Sequence, residues 1–142
     1  MNEFECAAQR KEAITVVVAD DHPMVRRGLV AILGGEPDFK VLGEAATGSE
    51  ALDRTRTFRP DILVMDVNMP ECDSETARRI REECPGTRIV VFSFWNDAAA
   101  VDGFKCAGAS AYVVKGSSGK ALIELLRAVV TGGSFRLLEE IY

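Results

Sequence analysis

A chain of 142 residues, 47% apolar and 27% charged, is long enough for one well-cored domain and too short for two ordinary ones. Its net charge of −5 gives no electrostatic footprint for nucleic acid, and no apolar run approaches the length of a membrane span. A single histidine, His22, excludes a multi-histidine metal centre. The opening "MNEFECAAQRKEA" (1–13) is polar and has no apolar core segment, so it reads as an N-terminal extension and not as a secretion signal. The expected location is the cytoplasm. Cys6, Cys72, Cys84 and Cys106 are scattered without a C-x-x-C pair and read as reduced fillers.

In chain order, apolar bursts alternate with stretches of helical period. "AITVVVA" (13–19) is nearly continuous and apolar, the pattern of a strand buried on both faces. Pro23 suits the first turn of a helix, with Val25, Leu29, Ile32 and Leu33 on one stripe up to Gly34-Gly35. "FKVLGEA" (39–45) is interrupted by Lys40, Gly43 and Glu44, which marks it as an edge strand. Gly48-Ser49 opens a second helix that ends near Arg59, before Pro60. "DILVMD" (61–66) is the third buried burst, and a third helix runs from Asp73 or Ser74 to Cys84, stopped by Pro85-Gly86. "RIVVFS" (88–93) precedes a fourth helix from about Asp97 to Ala107. "AYVVK" (111–115) precedes a fifth, striped with Leu122, Leu125, Leu126 and Val129 and ended by Gly132-Gly133. The tail "SFRLLEEIY" (134–142) shows weak helical periodicity and no partner. Five strands alternating with five helices predict an α/β fold, a single flavodoxin-like (βα)5 unit over 14–133. Its parallel sheet would be doubly wound, with strand order 2-1-3-4-5.

Ligands of open parallel sheets bind beyond the carboxyl ends of the strands. The first strand ends on Asp20-Asp21, the third on Asp66, the fourth on Ser93 and the fifth on Lys115. In the order 2-1-3-4-5 these endings converge on one rim. Each alone has a plain reading: Asp-Asp before Pro is a common turn, Asp66 before "VNMP" suits a turn too, and Ser93 and Lys115 could be surface residues. Together they place three carboxylates, a hydroxyl and an ammonium in one crevice. Clustered carboxylates suit a hard divalent cation such as Mg²⁺, which takes oxygen ligands at about 2.0–2.1 Å and keeps waters. With the repulsion of the acidic pair neutralised, Asp66 is placed to attack a phosphoryl group. Lys115 can pair with a carboxylate or phosphoryl oxygen, and Ser93 can donate its hydroxyl.

"VVVADDHPMVRRGL", "DILVMDVNMP", "IVVFS" and "GASAYVVKGSS" resemble the receiver domain of two-component response regulators. The start "DDHPMVRRGL" and the ending "AVVTGGSF" resemble the NarL/FixJ (LuxR-type) class. The likeness covers roughly residues 14 to 134. It implies that Asp20, Asp21, Asp66 and the backbone carbonyl of Asn68 hold Mg²⁺. Asp66 would accept phosphate from a sensor histidine kinase, with Lys115 on the phosphoryl group, Ser93 as switch hydroxyl and Tyr112 as aromatic switch. It also implies a signalling switch and not an enzyme, a possible homodimer on phosphorylation, and no contact with membrane. DNA would be bound only through an output domain, to which residues 134–142 would begin the linker.

The sequence departs from the family pattern at two places. "MPECDSE" stands where "MPGMDG" is usual, with Glu71 and Ser74 in place of glycines, so the loop beside Asp66 is expected to be stiffer or differently turned. Phe94-Trp95 replaces a Met-His-like pair, and these aromatics either cap the site or belong to a partner surface. The competing readings are weaker. A Mg²⁺-dependent aspartyl-phosphate phosphohydrolase needs D-x-D after the first strand. An FMN module needs a Ser/Thr- and Gly-rich loop there, and "GSSGK" (116–120) lacks P-loop spacing. A degenerate receiver acting only as an interaction module stays open because of the altered loop.

Overall fold

A computed structural model describes residues 13–94 and 97–139. Strands β1 (Ile14–Ala19), β2 (Phe39–Ala45), β3 (Ile62–Asp66), β4 (Arg88–Ser93) and β5 (Ala111–Val114) alternate with helices. These are α1 (Pro23–Gly34), α2 (Gly48–Phe58), α3 (Ser74–Glu83), α4 (Ala98–Cys106) and α5 (Gly119–Val130), and a short β6 (Arg136–Leu138) follows. The sheet order is β2-β1-β3-β4-β5-β6, and every neighbouring pair is parallel. The sheet is therefore the doubly wound one expected, with β2 on its edge and one strand added at the other side.

That strand corrects the expectation for the tail. "SFRLL" carries weak helical periodicity and predicts no partner, yet Arg136, Leu137 and Leu138 pair with Ala111, Tyr112 and Val113. Gly132 and Gly133, at φ 93° and 106°, turn the chain back toward the sheet in a conformation that glycine tolerates best. Three residues are too few to show a period, so only the unpaired edge of β5 reveals the strand.

Strand side chains alternate between two cores. Val16, Val18, Ile62, Val64, Val90 and Val113 face α1 and α5, where Leu29, Leu33, Leu122, Ile123, Leu126 and Val129 are buried. Val17, Leu63, Met65, Ile89, Val91 and Tyr112 face α2, α3 and α4. The apolar stripe of α1 is narrower than the sequence pattern indicates, since Ile32 is exposed.

Side chains start the helices where orphan N–H groups need acceptors. Thr47 accepts from Glu50 N–H in α2, Ser118 from Ala121 in α5, and Asp73 forms a reciprocal capping box with Thr76 in α3. Asp97 accepts from Ala99 N–H at the start of α4. The caps fix where each loop leaves the rim that carries the polar strand ends.

Candidate functional site

The rim brings Asp20, Asp21, Asp66 and Lys115 together as the strand order requires. Asp20 follows the last residue of β1, its N–H bonded to the Ala45 carbonyl of β2 at 2.9 Å. Its Oδ1 accepts from His22 N–H at 2.9 Å, and Arg26 holds its backbone carbonyl at 2.6 Å while bridging to Glu44. Asp66 closes β3, and its Oδ1 accepts from Asn68 N–H at 3.1 Å. Lys115 follows β5 and extends Nζ to within 3.1 Å of Asp20 Oδ2 and 3.3 Å of Asp66 Oδ1. Both carboxylates are fully buried, and the lysine side chain is 4% exposed.

One ammonium between two buried carboxylates, with Asp21 beside them, leaves the pocket short of positive charge. Burial is the main cause that pushes the Asp66 carboxyl above the usual carboxylate range; the Asn68 N–H opposes it, the Asp20 charge adds to it, and Lys115 opposes it. Among the described residues, two buried oxygens, Asp21 Oδ1 and Asp66 Oδ2, have no hydrogen-bond donor, although His22 Nδ1 lies 3.1 Å from the former. Orphaned buried acceptors are rare and point to a missing partner. Ligand atoms of Asp20, Asp21, His22 and Asp66 all lie within 4.8 Å of one another. An oxygen-rich set with two open acceptors fits a hard divalent cation.

Ser93 and Tyr112 sit beside this pocket. Ser93, fully buried at the end of β4, lines a cavity of about 370 Å³ with Val67, Asn68, Asp97, Ala100 and Tyr112. The Tyr112 ring is fully buried under the α4 face. Asn68 is an exposed residue of the β3–α3 loop. Trp95 lies outside the described residues.

The altered loop keeps a glycine-like shape without the glycine. Glu71 has φ 61°, a conformation that costs an L side chain about 1 kcal/mol or more. Its neighbours hold it there: Gly48 N–H donates to Pro70 O at 2.8 Å and Thr76 Oγ1 donates to Glu71 O at 3.1 Å. A Cβ on Gly48 would collide with the Glu71 carbonyl, so the start of α2 is shaped to receive this loop.

Two features escaped the sequence. The His22 imidazole lies 3.1 Å from Asp21 Oδ1, which a DDHP turn does not announce. The Phe92 and Phe94 rings lie 5.5 and 4.7 Å from Lys115 Nζ. The register Ser93↔Val114 sets residue 94 across from Lys115, but that is a fact about pairing, invisible in either segment alone. Cys72, Cys84 and Cys106 are free thiols, and burial pushes the Cys72 thiol up to about 12, so it is inert at neutral pH.

The family model described as the response regulator receiver domain matches residues 16–127. The chain belongs to that family. As a receiver, it is 41% identical over 127 residues to the DNA-binding transcriptional activator DevR/DosR of Mycobacterium tuberculosis, covering 88% of this chain and 57% of that one. It is 33% identical over 123 residues to the nitrate/nitrite response regulator NarL of Escherichia coli, covering 86% and 57%. The receiver thus spans about half the length of the curated relatives it matches. Among solved structures, the signal receiver domain of the NarL regulator from Mycobacterium tuberculosis superposes with a TM-score of 0.82 at 29% identity, covering 86% of this chain and 99% of that one. A LuxR-family regulator from Aurantimonas superposes at 0.81 with 33% identity, covering 87% and 89%. Receivers of this family are signalling switches of two-component systems. Among the described residues no helix is long and apolar enough to cross a membrane.

Proposed function

We propose that this receiver takes a phosphoryl group from a sensor histidine kinase onto Asp66, with Mg²⁺, and so changes the surface around α4 and β5. The observation that carries the proposal is the buried Asp20–Lys115–Asp66 array with open acceptors on Asp21 and Asp66. Asp20, Asp21, Asp66 and the Asn68 carbonyl would hold the cation, which supplies neutralising charge for the incoming phosphoryl oxygens. A carboxylate oxygen of Asp66 bonds to phosphorus as the phosphorus–nitrogen bond of the donor phosphohistidine breaks, and the imidazole leaves with the electron pair. Lys115 then exchanges part of its pairing with Asp66 for a phosphoryl oxygen.

The new group adds about two negative charges and three acceptor oxygens. Ser93 and Lys115 are the strand-end donors facing them. Moving a two-state population from 1:99 to 99:1 takes about 5.5 kcal/mol of differential interaction. A neutral hydroxyl hydrogen bond supplies roughly 1 kcal/mol, so Ser93 trims the switch while Lys115 and the cation drive it. Tyr112 packs next to Ser93 and follows its movement. In the full regulator, residues after β6 would lead to a DNA-binding output domain like those of the longer relatives, acting in the cytoplasm, with dimerisation as one outcome of phosphorylation.

Amide exchange across 97–115, with and without a beryllofluoride mimic, tests the division of labour. Ser93→Ala should keep the adduct and show a partial change in protection. Lys115→Ala should accept phosphate and show almost none. A full wild-type change in Lys115→Ala would contradict the proposal.

A further inference from the structure

The Lys115 side chain is only 4% exposed, although the residue follows β5 at the carboxyl rim of the sheet. Its inward directions are taken by Asp20 and Asp66 at 3.1 and 3.3 Å, and the Phe92 ring lies 5.5 Å from Nζ. Among the described residues, the closest aromatic cover is the Phe94 ring, centred 4.7 Å from Nζ and itself 56% exposed. A ring in contact with a cation on one side and with water on the other is the layer that separates the two.

An exposed phenylalanine at a strand end is ordinarily a packing accident or a partner contact. Here the ring face meets an ammonium within the roughly 6 Å range of a cation–π contact. The ammonium offers only N–H donors, and two carboxylates cannot surround it. The ring fills the remaining side without competing for the carboxylate oxygens.

We infer that Phe94 is a positioning residue that shields Lys115 and the phosphoacceptor pocket from water, and so lengthens the lifetime of the phosphorylated state. The shielding itself is a property of the unphosphorylated protein; its effect on lifetime rests on the function proposed above. Loss of phosphate from Asp66 is a hydrolysis. A water oxygen bonds to phosphorus, the phosphorus–oxygen bond to Asp66 breaks with the carboxylate leaving, and the water's protons pass to inorganic phosphate and solvent. A ring over the lysine narrows the approach for that water and for small phosphodonors alike. Both forward and reverse traffic should therefore slow together.

The test has two arms. In the first, metal-free and unphosphorylated protein is labelled with an amine-reactive ester and the adduct on Lys115 is followed by peptide mass spectrometry. Lys40, at the opposite end of β1 and β2 from the rim, and Lys120, in the groove between α1 and α5, serve as internal standards. Phe94→Ala should label Lys115 about fivefold faster or more, the scale expected for losing a cation–π contact, with the standards unchanged. Phe94→Leu keeps apolar bulk without a ring face and should fall between, and Phe94→Tyr should match the wild type. In the second arm, protein carrying a phosphoryl adduct from acetyl phosphate is freed of donor and the decay of the adduct is timed. Phe94→Ala should lose it severalfold faster and also acquire it faster. Unchanged Lys115 labelling in Phe94→Ala overturns the shield. Faster labelling with an unchanged decay overturns the role in lifetime. No adduct in any variant counts against the proposed phosphoacceptor function, while the labelling rates still decide whether the shield exists.

Discussion

Helices α4 and α5 pack on opposite faces of the same two strands, β4 and β5, and are held very differently. α5 buries Leu122, Ile123, Leu126 and Val129, whereas α4 buries Phe104 alone. At about 1.5–3 kcal/mol for each large apolar side chain fully removed from water, α5 has several times the gross anchorage. α5 is also tied at its far end, where Arg127 bonds Asp38 at 2.8 Å and Glu36 at 2.7 Å. The helix beside Ser93 is thus the one that costs least to move. A fold that keeps one face rigid and the other lightly pinned can convert a charge change at its rim into a local displacement.

Truncating the strong anchor should give the largest effect. Leu126 is fully buried, and Leu126→Ala should lower unfolding stability in urea by about 2–5 kcal/mol, with all regions losing protection together. If the loss were confined to 119–130, α5 would not be part of the rigid unit. Phe104→Leu probes the weak anchor. It should cost less than about 1.5 kcal/mol globally, while amide exchange in 98–106 accelerates more than in α5. A uniform acceleration would erase the distinction between the two helices.

Smaller changes sharpen the same contrast. Asp97→Ala removes the cap at the start of α4 and should cost about 1 kcal/mol or less, again read as faster exchange limited to that helix. The smallest effect is on the α5 side. The hydrogen bond from Arg127 holds the Asp38 carboxyl below its usual range, aided by the charge of the same guanidinium. A carboxylate with a depressed folded pKa contributes stability that is full above its unfolded value near 3.9 and is lost as pH falls through the folded value. Asp38→Asn should therefore be slightly less stable than wild type at pH 6, by an amount that salt reduces because the pair is exposed. The two curves should converge once the pH is low enough to protonate Asp38 in both the folded and the unfolded state. A gap that persists there would assign the effect to packing and not to charge.

How far the sequence could be read depended on whether a feature was local. Continuous β-branched runs such as "ITVVVA" and "ILVMD" announced buried parallel strands, and the interruptions in "FKVLGEA" announced the edge that β2 occupies. Asp20, Asp21, Asp66 and Lys115 were legible because strand ends of a parallel sheet share one rim, so order alone brings them together. β6 was not, because a three-residue strand has too little pattern and exists only where β5 leaves its edge open. Phe94 over Lys115 depends on the Ser93↔Val114 register, and the left-handed Glu71 depends on the Gly48 and Thr76 contacts that hold it. Those are agreements between distant segments, which no single window contains.

The most direct test of the central claim is intact-mass analysis of the domain after incubation with acetyl phosphate. With Mg²⁺ present, a single phosphoryl adduct should appear, and it should be absent in EDTA and absent in Asp66→Asn. An adduct that forms equally in Asp66→Asn would place the acceptor elsewhere and contradict the account.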